Sequence, residues 1–377
     1  MSLAVGLMSG TSLDGVDAAL VDIKGTQQNL RVELHDFITV PYSSNQLRQI
    51  KDVIEERELT IQKVSALNFS LGEKYSEVVQ MICQKNMLDS GKLSFVASHG
   101  QTVFHQPFPS ETFQPSTLQL GDPSIMANRL KTTIVSNFRE ADMAVKGQGA
   151  PIVPYSEFLL YRSTSKNRIL QNIGGIGNLT LIPANAELKE LIAFDTGPGN
   201  MIIDGLMKHF YHKKFDRDGA RAAKGRINDQ LVKEWMDLPY FKLPYPKTTG
   251  RELFGNAFLK DILKNSEIKP DDLIASATFF TAKSIAFHVM QLVNDETELI
   301  IGGGGAYNKT LVSMLKNLLP NFIKIFVQED IGISSEAKEA IAMAILGQHT
   351  LAHLPSNVPS ATGASNEVIL GRITLFK

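Results

Sequence analysis

Apolar and polar positions along the chain change period repeatedly, and each change marks an element. Leu3–Met8 and Val16–Ile23 are short apolar runs and Arg31–Val40 alternates in part, so the chain opens with predicted strands. Ser44–Leu59 and Ile61–Leu88 are predicted helices; Val64, Leu67, Leu71, Tyr75, Val78 and Ile82 recur at spacings of three and four. Ser94–Ser98, Ser116–Leu120 and Thr132–Val135 are predicted strands, around a helix at Pro123–Leu130, and Ile152–Tyr161 is again helical. A second set of strands follows at Arg168–Ile173, Leu179–Ile182 and Leu191–Phe194, with Glu298–Ile301 and Ile323–Val327 further on. Asp229–Met236, Ala257–Leu263, Ser276–Val293, Lys309–Leu319 and Ser335–Leu346 are the helices of this half. The tail, Leu354–Ser365, is rich in Pro, Ser and Gly, and a short strand at Val368–Leu375 ends the chain.

Both halves open with strands around a Gly-rich hairpin, Ser9–Gly15 and Gly174–Asn178, and run on to a turn with polar and acidic residues. This is weak internal duplication without a fixed period. It predicts an α/β chain of two similar domains. The turn-rich Gly147–Pro151 segment places their boundary, giving domains over 1–140 and 141–377, with 354–377 a candidate to pack back on the first.

Length supports that division, because 377 residues exceed one ordinary core. Lys and Arg number 38 against 39 Asp and Glu, so no basic field argues for nucleic acid or an anionic membrane surface. Cys83 is the only cysteine, which excludes an internal disulfide framework and a cysteine-cluster metal site. It lies in a helical stretch and reads as a buried, inert thiol. The N-terminus has no basic leader region, and no run is expected to approach the ~20 apolar residues that span a bilayer. The expected compartment is the cytoplasm.

Candidate chemistry sits at the turns. Ala193–Asp204 reads as a strand ending at Asp195, a tight turn through Thr196-Gly197-Pro198-Gly199-Asn200, and the first turn of a helix. Such a junction presents backbone N–H groups to anionic oxygen, with Asp195 beside them as base or metal holder. The alternative is a structural turn capped by Asp195. The Ser9–Gly15 hairpin, with Asp14 and Asp17, is either a phosphate grip or an ordinary turn. His99-Gly100-Gln101-Thr102 follows a strand as a polar loop, one that touches ligand or is merely structural. Arg139 is an anion or hydroxyl binder, or it pairs with Glu140 or Asp142. Gly302–Gly305, at a strand-to-helix junction, suits close approach of an adenine or α-phosphate, against a bland turn. No GxxxxGK[ST], complete GxGxxG or GxSxG occurs, and no dedicated protein metal cage is visible. Nucleotide-phosphate binding by two similar halves accounts for the three Gly-rich turns together.

VGLMSGTSLDGVDAALVDI, SHGQTVFHQP, GQGAPIVP, NIGGIGNLT, FDTGPGN, TTGRELFG, IIGGGGAYN and EAKEAIAMA, in this order, with SATGA in the tail, resemble the successive motifs of the anhydro-N-acetylmuramic acid kinases. The resemblance runs from Val5 to about Gly363. It implies the two-domain actin-like ATPase fold of the sugar kinase, chaperone and actin superfamily, with ribonuclease H-like mixed sheets flanked by helices and an inter-domain active-site cleft. It implies that a 1,6-anhydro sugar is opened by water and phosphorylated on O6 by ATP. Asp195 is then the catalytic base. Gly10, Thr11, Ser12, Leu13, Asp14, Gly15, Val16 and Asp17 grip the β- and γ-phosphates. Gly175, Asn178, Gly197 and Gly199 join the cofactor-binding set, and Gly303, Gly304, Gly305 and Asn308 line the adenosine site. Gln101, Thr102, Arg139 and Glu339 lie on the sugar side. Mg²⁺ is expected to arrive with ATP, with Asp14 or Asp17 reaching it through water. The implied partners are an amino sugar and ATP, with no nucleic acid or membrane; a homodimer stays open. Asn137 stands where the family usually has Asp, and Gly177 where it often has Ala or Ser.

Three rivals are weighed beside this. A kinase of an ordinary sugar hydroxyl would aim Asp195 at that hydroxyl. A glycosidase would pair Asp195 with Glu339 but has no use for the Gly-rich loops. A nucleotide-driven conformational protein would show a polymerisation or peptide-binding segment, and none is seen.

Overall fold

The computed structural model describes residues 2–10, 13–57, 59–245, 247–264, 267–332 and 334–377. The chain forms two compact units, Met1–Leu160 with Glu336–Lys377, and Tyr161–Ser335.

In the first unit, β1 (Ser2–Ser9), β2 (Val16–Lys24), β3 (Arg31–Val40), β4 (Phe95–Gln106), β5 (Ser116–Leu120) and β6 (Ile134–Ser136) build the sheet, and a strand near the C-terminus joins its edge. The order is β3-β2-β1-β4-β6; β5 pairs with β4 off this path. β1 and β2 form an antiparallel hairpin with Ser2 opposite Ile23 and Met8 opposite Asp17, and β1, β4 and β6 run parallel. β1 reads as a continuous apolar run because a central strand of this mixed sheet is covered on both faces. β3, at the edge, alternates instead. One face carries the helix Ile61–Lys85, whose Leu71, Tyr75, Val78 and Ile82 join Val5, Leu7 and Leu20 in the core. The helix Lys338–Leu351 lies against β1 so closely that a Cβ on Gly6 would collide with the Ala340 carbonyl.

The second unit repeats the design. β7 (Asn167–Ile173), β8 (Ile176–Ile182), β9 (Ile192–Pro198), β10 (Thr297–Gly302) and β11 (Ile323–Val327) take the order β9-β8-β7-β10-β11. The first three strands are antiparallel neighbours, and β7, β10 and β11 run parallel. This mixed sheet with strand order 3-2-1-4-5, present once in each unit, is the ribonuclease H-like sheet of the actin-like ATPase fold.

Four expectations need correction. The units divide after Leu160 rather than at 140/141, and the chain returns to the first unit at Glu336 rather than near 354. Asp142 is one reason: its carboxylate accepts from Gly149 N at 2.8 Å, Asn357 Nδ2 at 2.9 Å and Thr362 Oγ1 at 2.8 Å, stapling the turn-rich segment and the tail to the same unit. The close contact of Gly6 with Ala340 is the other. His99–Thr102 is not a loop but part of β4, which runs on to Gln106 with β5 paired to it from Gln101. The last strand is only β12 (Arg372–Thr374), antiparallel to β6. Finally, the helix Pro270–Leu292 is long and apolar enough to cross a membrane by length and composition, and most of it is buried in the second unit. A helix apolar all round is what a core helix needs.

Candidate active site

Asp195 lies within β9, not at its end, because the strand continues through Pro198. Its partner across the ladder is Asn178 of β8, beside a register shift between Gly177 and Asn178. Directly opposed residues share a face, so Asn178 stands next to Asp195. β9 is the edge of its sheet, and Tyr240, Lys247 and Thr249 bond to it there. The Asp195 amide donates to Lys247 O at 3.0 Å, the Tyr240 hydroxyl donates to the Asp195 carbonyl, and Thr249 N donates to Asp195 Oδ2 at 2.9 Å. The Lys247 ammonium closes the clamp on Tyr240 O at 3.1 Å and lies 4.7 Å from the Tyr240 ring centre. Both peptide groups and one carboxylate oxygen are thereby fixed, which leaves Oδ1 outside the clamp. Burial pushes the Asp195 carboxyl up to about 6, with the Thr249 amide opposing and the charge of Glu252 adding to it.

The turn after β9 differs from the expected anion cradle. Gly199 N and Met201 N donate to Gly175 O at 2.9 and 3.1 Å, and Asn200 N donates to Gly174 O at 2.7 Å. A Cβ on Gly199 would meet Gly174 O. Gly199 therefore serves close packing of turn on hairpin, and these amides are spent inside the protein. Gly197 is buried at a φ of 124°, facing Phe241. Gly175 and Asn178 are exposed.

The strand-to-helix junction after β10 is open. A Cβ on Gly304 would meet nothing nearer than Asn200 Nδ2 at 3.7 Å, whereas Cβ atoms on Gly303 and Gly305 would collide with Asn172 and Ile173. Gly304, Tyr307 and Asn308 line a cavity of about 420 Å³ together with Asn200, Ile203, Asp204 and the 215–218 loop. Asn308 caps the helix Lys309–Leu318 by accepting from Leu311 N at 3.0 Å. Thr310 Oγ1 donates to Gly219 O at 2.8 Å and ties the 215–218 loop to that helix. Asp204 sits one helical turn beyond Asn200, and burial pushes its carboxyl up to about 6. The size and mixed lining suit a nucleoside.

In the first unit, Thr11 and Ser12 lie outside the described residues. Gly10 O accepts from Gln101 Nε2 at 3.2 Å. Asp14 is exposed, while Gly15 and the Val16 side chain are buried, so Val16 can offer a ligand only its backbone. Asp17 Oδ1 accepts from Thr39 Oγ1 at 2.6 Å, and burial raises its pKa against that bond. Gln101 is fully buried and its amide is committed: Oε1 accepts from the Tyr42 hydroxyl at 3.1 Å while Nε2 holds Gly10. It is a strut under the hairpin and does not present itself to a sugar. Thr102 is half-buried and accepts from Gln119 Nε2 at 3.2 Å.

Arg139 follows β6. Its Nε donates to His99 Nε2 at 3.0 Å and its Nη1 to Gly149 O at 2.6 Å. Burial brings the guanidinium down to about 10, so it stays charged, and Glu339 and Glu140 support the charge. Among the described residues, no ion pair joins Arg139 to Glu140 or Asp142. Asn137, at a φ of 61°, instead bonds to Ser136 and Glu140. Glu339 opens the helix Lys338–Leu351; its carboxyl reaches solvent but is hemmed in by protein, which raises its pKa, with Lys338 and Arg139 opposing. Among the described residues, no group of three or more His, Cys, Asp or Glu is placed to hold a metal ion.

The sequence assigns no role to Tyr240, Thr249 and Lys247 around Asp195, to Asp204 in the cavity, or to Gly149 beside Arg139. Of these, Thr249 and Gly149 lie in quoted motifs, TTGRELFG and GQGAPIVP.

Residues 2–375 match the model of the family described as anhydro-N-acetylmuramic acid kinase. The anhydro-N-acetylmuramic acid kinase of Clostridioides difficile (strain 630) is 47% identical over 376 residues, with 98% of each chain covered. That of Bacillus thuringiensis subsp. konkukian (strain 97-27) is 47% identical over 375 residues, again with 98% of each covered. Full-length agreement at this level leaves one conclusion: the chain belongs to the anhydro-N-acetylmuramic acid kinase family.

Proposed function

We propose that this chain is the ATP-dependent kinase that opens the 1,6-anhydro bridge of 1,6-anhydro-N-acetylmuramic acid with water and phosphorylates O6. The products are N-acetylmuramic acid 6-phosphate and ADP, in the recycling of cell-wall peptidoglycan. Asp195 is the base. The observation that carries this assignment is the clamp: Thr249 N holds Oδ2 at 2.9 Å while burial lifts the carboxyl to about 6, close to where a general base works best. Water attacks the anomeric carbon and gives its proton to Asp195. The bond from that carbon to the bridging oxygen breaks, and the electron pair stays on O6. O6 then attacks the γ-phosphorus in line, and ADP leaves.

Arg139 and Glu339 meet the sugar. The Gly10–Asp17 hairpin grips the phosphates. The cavity at Gly304 and Asn308 takes the adenosine. The exposed Asp14 or the half-buried Asp17 would hold an ATP-bound Mg²⁺ through water, where the ion would neutralise phosphate charge. A reaction that consumes ATP belongs in the cytoplasm.

The test is turnover of 1,6-anhydro-N-acetylmuramic acid with ATP in ¹⁸O-labelled water. Label at the anomeric oxygen of a 6-phosphorylated product supports the reading. Phosphorylation of open sugars alone overturns it in favour of an ordinary sugar kinase.

A further inference from the structure

His99 is nearly fully buried, at 3% exposure, and nothing above gives it a part in the reaction. Its two ring nitrogens have different partners. Nδ1 lies 2.8 Å from Gly100 O, a group that only accepts, so Nδ1 carries the proton. Gly100 makes this possible with a φ of 76°, which few other residues adopt. Nε2 is then the lone-pair nitrogen, and it faces Arg139 Nε–H at 3.0 Å. The pairing requires a neutral imidazole, since an imidazolium would set N–H against N–H and charge against charge. Burial and the neighbouring guanidinium hold His99 down to about 3, so it stays neutral throughout the working range.

The opposite side of the fork is fixed as well. Arg139 Nη1 donates to Gly149 O at 2.6 Å, and Gly149 N donates to Asp142, which the tail residues Asn357 and Thr362 also hold. With Nε and Nη1 engaged, the guanidinium plane is set and Nη2 is the corner it can offer a ligand. We propose that His99 is a positioning residue for substrate binding, a permanently neutral acceptor that sets the orientation in which Arg139 meets the sugar. The proposal rests on the reading that Arg139 touches the sugar. Holding a guanidinium before substrate arrives lowers the ordering cost of binding.

The experiment compares two polar replacements. The Gln side chain in His99→Gln reaches the place of Nε2 with a carbonyl oxygen and can accept from Arg139. In His99→Asn the amide ends at the place of Nδ1 and keeps only the contact with Gly100. Initial rates with ATP and the anhydro sugar give both KM values, and thermal melts report folding. The expected result is that His99→Asn raises the sugar KM about tenfold, the scale of a lost charge-assisted bond, while His99→Gln stays within about threefold of wild type. The ATP KM is unchanged in both. In an Arg139→Ala background the Asn and Gln variants should have equal sugar KM values. Equal sugar KM values for the two variants in the wild-type background, or a persisting difference in the Arg139→Ala background, would overturn the proposal. A wild-type chain that makes no phosphorylated product indicts the kinase reading instead, and the two failures are thereby distinct.

Discussion

The amide of Thr249 donates to Asp195 Oδ2 at 2.9 Å, across 54 residues of sequence. That bond stabilises the carboxylate, while burial opposes it and prevails, so the carboxyl titrates near 6. A base works only when deprotonated. The rate with saturating ATP should therefore rise with pH, turn over near 6 and stay flat above. Asp195→Asn should abolish turnover and leave ATP affinity nearly intact, as measured by calorimetry; wild-type-like turnover would sink the base assignment. The same shift bears on stability. The folded pKa lies above the ordinary 3.8, so the contribution of Asp195 to folding is greatest below 3.8 and is lost as pH rises through about 6. Asp195→Asn should accordingly gain more in Tm at pH 8 than at pH 5, relative to wild type.

Tyr240 acts on the same residue from behind. Its hydroxyl donates to the Asp195 carbonyl, and its own carbonyl accepts from Lys247 Nζ at 3.1 Å. Tyr240→Phe leaves a buried carbonyl without that donor and should cost about 1–3 kcal/mol of stability. Because β9 is an edge strand, the loosened clamp should also lower kcat several-fold, with the ATP KM unchanged. A variant that loses stability at full kcat would show that the clamp holds the fold and not the base.

These contacts explain what the sequence could and could not tell. The duplicated hairpins were readable because β1, β2, β7 and β8 are apolar runs broken by Gly-rich turns, and local pattern suffices for that. Asp195 was placed at a strand end because Asp-Thr-Gly-Pro has poor strand propensity; the β8 ladder overrides it. His99–Thr102 reads as a loop for the same reason, and the β5 pairing that begins at Gln101 overrides it. The Gly199–Met201 amides looked available because nothing local reveals that Gly174 and Gly175, some 25 residues earlier, accept from them. Asp142 and the tail residues Asn357 and Thr362 lie too far apart in the chain for any spacing rule to join them.

Adjacent glycines in the 302–305 run should separate ligand from fold. Gly304 faces the cavity and a Cβ there meets no atom within 3.4 Å, whereas at Gly305 it collides with the Ile173 side chain. Gly304→Val should melt like wild type and weaken ATP binding about tenfold or more, since its methyl groups enter the nucleoside space. Gly305→Ala should cost about 1–3 kcal/mol through overpacking. Equilibrium binding of an ATP analogue and thermal melts read the two effects independently. Unchanged nucleotide affinity in Gly304→Val would remove the cavity from the ATP site.

Lys338 precedes Glu339 at the start of its helix, and its ammonium meets Glu157 Oε1 at 3.2 Å with both side chains buried. Removing one partner leaves the other buried charge without this counter-ion, so Lys338→Met and Glu157→Leu should each destabilise the fold. The double variant replaces a buried pair with apolar groups and should recover much of that loss. Its effect on Glu339 should persist, and that separates function from folding. Lys338 holds the Glu339 carboxyl down against burial, so taking the cation away favours the protonated form. If the Glu339 carboxylate binds the sugar, the pH at which sugar KM begins to rise on acidification should move upward in Lys338→Met and, by less, in the double variant, because Glu157, which raises the same carboxyl, is then gone too. A double variant with wild-type stability and an unmoved acid limb would show that Glu339 meets the sugar as a neutral acid or not at all.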